Sequence, residues 1–175
     1  MKTKITTKAG DDGETSLYSG ERVLKSSERI RIVGLIDELV SYIGLARVSS
    51  NNEEVKFNLE KVQKDLFTLA AEIATTDTSK LKNKIDKKFM SEFEILHESI
   101  SDKIEFPKDF ILPGAHGSIS GAQIDICRTI ARKIEVEVTN FLLISKTCLK
   151  YLNRLSDFLW LLARLEEGNS KMQKD

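Results

Sequence analysis

The sequence predicts an all-α protein: a five-helix bundle with an up-down core of the ferritin-like kind, preceded by an ordered glycine-containing loop. Three observations carry this. Apolar residues recur at alternating steps of four and three in five separate stretches, the spacing of one buried stripe on a helix. Only two prolines occur, Pro107 and Pro113, and they flank one short segment, so interruption of helix is concentrated there. Strands find no pairing partner: Thr3 to Thr7 is β-branched and could run extended, yet a lone strand cannot form a sheet. At 175 residues the chain fits one domain, 1–175, with residues 1–27 as the loop and 28–168 as the bundle.

The loop opens on TKAGDDGET, Thr7 to Thr15. Glycine tolerates positive φ, so successive N–H groups around Gly10, Asp11 and Gly13 can converge into a concave anion site, and Lys8 adds a full charge. A glycine-aspartate stretch is also what an ordinary turn uses. Lys8 to Ser27 then reads as a long loop without regular structure, carrying Gly20, Arg22 and Lys25. Its apolar Leu17, Tyr18, Val23 and Leu24 favour docking over disorder.

From about Glu28 the pattern turns helical, with Ile32, Ile36, Leu39, Ile43 and Ala46 on one stripe. Asn51 or Asn52 can cap a second helix whose first turn holds Glu53 and Glu54 and whose stripe is Val55, Leu59, Val62, Leu66, Leu69 and Ile73. Polar Thr75 to Asn83 closes it. Phe89, Phe93, Leu96 and Ile100 mark a third helix, which ends before Phe106-Pro107 because the residue before proline avoids the helical region. Phe110 to Ser118 is apolar and then turn-rich, and is expected to be a buried connection. A fourth helix starts near Ser118 or Ser120, with Ile124, Cys127, Ala131, Ile134 and Val138 as its stripe. Ser145 caps a fifth, striped by Cys148, Leu152, Leu155, Leu159 and Leu162, with Gly168 as its expected stop. Near-heptad spacing throughout argues for antiparallel packing.

Composition excludes several functions. Lys plus Arg equals Asp plus Glu at 27 each, so no overall basic field points to nucleic acid and no polybasic tail to a membrane. No apolar run approaches the roughly 20 residues that span a bilayer, and no apolar stretch follows Met1 to Ile5, so the expected location is the cytoplasm. Cys127 and Cys148 fall inside helices without metal-type spacing and read as small buried hydrophobes.

Some polar residues do not belong on a bundle seam. Arg128, Arg132 and Glu135 lie at i, i+4 and i+7 and stack on one helix face. Two guanidiniums and a carboxylate can clamp a polyphosphate; a solvated face with an ordinary salt bridge is the other reading. Asn153, Arg154 and Asp157 sit within one turn of a leucine-rich helix, where they either face solvent or serve a site. Asp37 shares a small face with Val33, Ser41 and Gly44, and either seeks a cation or is simply exposed. Glu94-x-x-His97 is a step that di-iron bundles use, but such a site needs two copies and two further glutamates, and His116, the other histidine, lies in a loop. His97 therefore reads as a surface or edge residue.

With these residues placed, the sequence resembles the PduO-type ATP:cob(I)alamin adenosyltransferases over nearly its whole length. TKAGDDGETSL followed by RVLK is similar to that family's T-x-x-G-D-x-G-x-T-x-L and R-V-x-K signature. Gly34-Leu-Ile-Asp37-Glu38-Leu39 and the Ser41-Tyr-Ile-Gly44-Leu-Ala that follows resemble its G-x-x-D-E-L-N-S-x-I-G-L-A helix. Gln63 with Leu66-Phe67 matches a further position, Phe110-Ile-Leu-Pro-Gly resembles its F-I-L-P-G-G segment, and Tyr151-Leu-Asn-Arg-Leu-Ser-Asp157 is the strongest single match.

The resemblance implies a five-helix bundle assembling as a homotrimer, with ATP and cobalamin held between subunits. It implies that the loop wraps the triphosphate through Thr7, Gly10, Asp11, Gly13, Thr15 and Lys25. Arg132, Glu135 and Asn153 match positions that bind ATP and its Mg²⁺, the ion being held through the phosphates with Asn153 as a candidate protein ligand. Asp37 and Arg128 match an acid-base pair joining adjacent subunits at the corrinoid site, and Phe110 matches an aromatic under the corrin ring. Catalytic roles would fall to Asp37, Arg128, Arg132 and Asn153, and a flavoprotein reductase could supply electrons. The chain departs from the pattern at Ala115, in the longer turn from Gly114 to Gly121, at Lys133, Ile134 and Val136, and at Val40, positions that touch corrinoid contacts and interface packing more than the triphosphate clamp. The competing readings are a non-catalytic ATP- or corrinoid-binding bundle acting as sensor or carrier, and a structural bundle whose polar faces mediate protein contacts.

Overall fold

A computed structural model describes residues 8–140 and 144–172. Five helices alternate in direction: α1 (Glu28–Ser49), α2 (Glu53–Ile73), α3 (Lys87–Ser101), α4 (Ile119–Thr139) and α5 (Lys146–Met172). The five predicted stripes face inward, and Ile32, Leu59, Phe93, Cys127, Leu155 and their neighbours form one buried core. Helix α4 lies between α1 and α5, while α3 packs on α5. Edge-on aromatic contacts fix that second seam, with Phe93 5.0 Å from Tyr151 and 5.2 Å from Phe158.

Local chemistry sets the ends. Asn52 caps α2, its Oδ1 accepting from Glu54 N at 3.0 Å and Val55 N at 3.3 Å. Ser118 caps α4 by accepting from Gly121 N at 3.0 Å, and Ser145 Oγ accepts from Cys148 N at 3.1 Å at the start of α5. Gly168 does not stop α5, which runs on to Met172. A glycine terminates a helix by taking up a left-handed conformation, and Gly168 is not among the residues with positive φ.

The N-terminal segment also departs from expectation. Instead of an irregular loop, β1 (Glu14–Ser16) pairs antiparallel with β2 (Arg22–Leu24), Thr15 opposite Val23. Gly20, at φ +98°, makes the tight return possible, and Leu17 N donates to Glu21 O at 2.8 Å across it. Strands of three residues are too short to show a period of two in sequence. The hairpin persists because it is docked: Leu17 is buried, and Tyr18 N donates to Ala74 O at the end of α2, at 2.9 Å. Thr3 to Thr7 lies outside the described residues.

Up-down connectivity gives the bundle two distinct ends. The hairpin end gathers the start of α1, the ends of α2 and α4 and the start of α5, with Arg31 bridging to Glu137 at 2.8 Å. The connection end gathers the start of α4, the end of α5 and the segment between α3 and α4. That segment is not buried as expected: Phe110 is fully exposed and Leu112 largely so. Its apolar residues lie outside a core that the five stripes already close.

Candidate active site

At the hairpin end the loop wraps two cations. Lys25 Nζ donates to Gly10 O at 2.6 Å, and Arg22 donates to Ala9 O at 2.9 Å while lying 3.4 Å from the Glu14 carboxylate. A side chain at position 10 would begin 3.0 Å from Lys25 Nζ and 3.1 Å from Glu14 O, so glycine there permits the close wrap. Gly13 sits at φ +85°, bends the chain away from the hairpin and accepts from Lys25 N at 2.9 Å. Asp11 is exposed and Thr15 half-buried in β1; Thr7 lies outside the described residues. The result is a short, glycine-shaped backbone arc with a lysine ammonium at its centre.

Helices α4 and α5 carry further polar groups toward the same end of the bundle. Asn153 Nδ2 donates to Glu135 Oε1 at 2.8 Å, and Arg154 donates to Asn153 Oδ1 at 3.0 Å, so the carboxamide is oriented from both sides. Arg132, one turn before Glu135, is exposed. The structure therefore joins Glu135 to Asn153 and leaves Arg132 exposed on the helix that carries Glu135.

The other predicted residues separate. Asp37 is exposed on α1, where its backbone carbonyl accepts from Ser41 Oγ at 2.9 Å. Arg128 instead pairs inside its own chain, its Nε donating to Asp125 Oδ1 at 3.0 Å. Phe110 projects from the connection, flanked by two cavities. One of about 750 Å³ is lined by Phe106, His116, Arg164 and Glu167; another of about 580 Å³ is lined by Trp160, Asp125 and Arg128.

Between these cavities lies a group that the sequence reading missed. Asp125 Oδ2 accepts from Arg164 Nη2 at 2.6 Å, and Arg164 Nη2 also reaches Glu167 Oε1 at 3.2 Å. Arg164 Nε lies 2.9 Å from Glu167 Oε2 at an angle that makes this an ion pair rather than a hydrogen bond. The guanidinium also lies 5.4 Å from the centre of the Trp160 ring, which stacks on Phe106. Nearby, Ser50 Oγ donates to Glu166 Oε2 at 2.6 Å and Ser120 donates to the other oxygen. The local signal was spacing alone: Asp125-x-x-Arg128 and Arg164-x-x-Glu167 are both i, i+3 pairs, a pattern that a solvated helix face shows as well.

The remaining chemistry-bearing side chains have structural roles. Glu94 pairs with Lys150 at 2.7 Å and His97 packs against Phe158, so the two do not converge. Burial pushes both the Cys127 and Cys148 thiols up to about 12, which leaves them protonated and inert. No helix among the described residues is long and apolar enough to cross a membrane.

A model of the family described as cobalamin adenosyltransferase matches residues 5–166. The chain belongs to that family. Among its relatives, a corrinoid adenosyltransferase of Citrobacter freundii is 32% identical over 169 residues, covering 94% of this chain and 95% of that one. A cobalamin adenosyltransferase of Cupriavidus metallidurans is 37% identical, covering 93% and 88%. The corrinoid adenosyltransferase PduO of Salmonella typhimurium is 33% identical over 95% of this chain, which spans 50% of that protein. A solved structure of a variant PduO-type ATP:corrinoid adenosyltransferase from Lactobacillus reuteri, complexed with cobalamin and ATP, superposes with a TM-score of 0.82 at 28% identity, covering 97% and 96%. As a member of the cobalamin adenosyltransferase family, the chain carries its polar groups on the helical frame of those relatives, including the charged cluster that its motifs did not reveal.

Proposed function

We propose that this chain transfers the 5′-deoxyadenosyl group of ATP to the cobalt of cob(I)alamin, giving adenosylcobalamin and triphosphate. The observation that carries the reading is the paired Glu135 and Asn153 with exposed Arg132, at the same end as the glycine arc around Lys25, in a chain alike over nearly its full length to a protein holding cobalamin and ATP. Co(I) donates its electron pair to C5′ while the bond from C5′ to the phosphate oxygen breaks and the triphosphate leaves with that bond's electrons. Co(I) is itself a strong nucleophile, so the protein's tasks are to align the two reactants and neutralise the leaving group.

In this reading Gly10, Asp11, Gly13 and Thr15, with Thr7 before them, wrap the triphosphate through backbone N–H groups and hydroxyls. Lys25 and Arg132 meet its charge. Glu135 and Asn153 offer the hard oxygen donors that Mg²⁺ prefers, and the ion would bind mainly through the phosphates, adding charge neutralisation there. Phe110, exposed between two cavities, faces the corrin ring and could displace a lower axial ligand, making Co(II) easier to reduce.

A homotrimer with sites between subunits fits two further observations. Leu45, Val48, Ile119 and Ile126 are exposed on the outer faces of the adjacent helices α1 and α4. Asp37 is exposed, and Arg128 is held through its Nε among the described residues, which leaves a terminal nitrogen at the cavity beside Phe110, where an acid on a neighbouring copy could meet it. A cytoplasmic location and a flavoprotein reductase as electron source complete the reading.

An anaerobic assay with reduced cobalamin, ATP and Mg²⁺, followed at the absorbance bands of adenosylcobalamin, tests it. Product formation is expected. ATP binding without product would leave a sensor or carrier, and neither would leave a structural bundle. A solution mass of three chains is expected, and a monomer at assay concentration would remove the shared site.

A further inference from the structure

Arg128 occupies an uncommon position on α4. Its side chain is about a quarter exposed, at 26%, while the Asp125 carboxylate that holds it is 4% exposed. That carboxylate is shared: Oδ1 accepts from Arg128 Nε at 3.0 Å and Oδ2 from Arg164 Nη2 at 2.6 Å. Arg164 is itself fixed by Glu167 and by the Trp160 face, so Asp125 cannot swing without breaking a buried pair. Nε is the inner nitrogen of a guanidinium. Anchoring it there orients the group: one terminal nitrogen shares the anchored edge, and the other lies on the far edge.

We infer that Asp125 is a positioning residue for the corrinoid half of the reaction: it sets the plane in which Arg128 presents a terminal nitrogen to the cavity beside Phe110. Buried Arg164, 2.6 Å from Asp125 Oδ2, is what holds Asp125 still. The inference rests on the reading of Arg128 as a corrinoid-side residue. Three features argue against a purely structural role for the pair. Arg128 is partly in water, where holding it adds little stability. Arg164 already has Glu167 as a counterion, so Asp125 is not needed to neutralise it alone. And Asp125 and Arg128 line the same cavity as Phe110.

The test compares four variants of the full chain in steady-state kinetics with reduced cobalamin and ATP. Asp125→Asn keeps the shape but removes the charge that Arg128 Nε needs; a rise of about tenfold in KM for cobalamin is expected, with KM for ATP changed less than about twofold. In Arg128→Ala the same split is expected, and the double variant should be no worse than Arg128→Ala alone, because two residues acting as one unit are not additive. Arg128→Lys covers the case in which Asp125→Asn does not fold. A lysine keeps the charge but cannot bind Asp125 and reach the cavity together, so most of the Arg128→Ala effect is expected. Additive losses, equal effects on both KM values, or a lysine variant with wild-type kinetics would each overturn the positioning role. If Arg128→Ala itself leaves KM for cobalamin unchanged, the corrinoid-side reading of Arg128 fails first.

Discussion

The same two helices, α4 and α5, carry charge at both ends of the bundle, and the two ends handle it in opposite ways. At the hairpin end Arg132 and Asn153 are exposed. At the connection end Asp125, Arg164, Glu166 and Glu167 are all at most 7% exposed, and the two arginines and the carboxylates of Asp125 and Glu167 pair with one another. The difference follows from what completes each group. Charges that await an anionic ligand must stay hydrated until it arrives, whereas charges sealed in protein must cancel there, because an unpaired buried ion costs several kcal/mol. Substitution of an exposed charge should therefore cost activity, and substitution of a buried one should cost stability.

The largest effect is expected where burial is deepest. Arg164→Met removes one member of a buried set and leaves Glu167 without that partner, a loss of about 3–5 kcal/mol in unfolding free energy read from the urea midpoint. A change within about 0.5 kcal/mol would mean that the buried set does not hold this end together. Next comes the exposed counterpart: Arg132→Ala should lower kcat by about 10²–10³-fold, as loss of a group that stabilises developing charge does. Its urea midpoint should stay within the roughly 0.5 kcal/mol typical of surface changes. If Arg132→Ala destabilises the fold and Arg164→Met does not, the contrast between the ends is reversed.

How much of this was legible in sequence also divides between the ends. The five stripes gave the helices because burial on one face imposes a period that tertiary packing reinforces. Glu135 and Asn153 stood out as polar residues on helix faces, but their spacing left a solvated face open, and it was the family resemblance that suggested a role for them. The hairpin was missed because three-residue strands carry no period, and its order comes from the contact of Tyr18 with Ala74, which is distant in sequence. Asp125 and Arg164 were missed for a related reason. They lie 39 positions apart, and nothing local distinguishes a charge that finds a buried partner from one that faces water. The connection was misjudged because an apolar run reads as core whether or not any element covers it.

Phe110 breaks the simple rule at the connection end, since it is exposed among buried neighbours. Phe110→Ala should leave the urea midpoint unchanged. It should spare turnover of preformed Co(I) while slowing reduction of bound Co(II) by up to about tenfold, the scale of one aromatic contact. An unfolding shift above about 1 kcal/mol would place Phe110 in the fold rather than the site.

The smallest expected effect isolates burial from function. His97 lies on α3, half-buried against Phe158, and its Nε2 is enclosed without a hydrogen-bond partner among the described residues. Burial lowers its pKa from the ordinary 6.5, with Asp157, Glu98 and Glu94 raising it and Arg154 lowering it less strongly than burial does. A histidine with a lowered folded pKa binds fewer protons folded than unfolded. Its neutral form therefore supports the fold above pH 6.5, and that support is lost as pH falls through 6.5 toward the lower folded value. His97→Gln should flatten the stability profile in that window, seen as urea midpoints that no longer fall between pH 7 and pH 5, and should leave kcat at neutral pH unchanged. A fall in kcat would mean that burial alone, away from both ends, can impair the reaction, and the division of roles between the two ends would lose its basis.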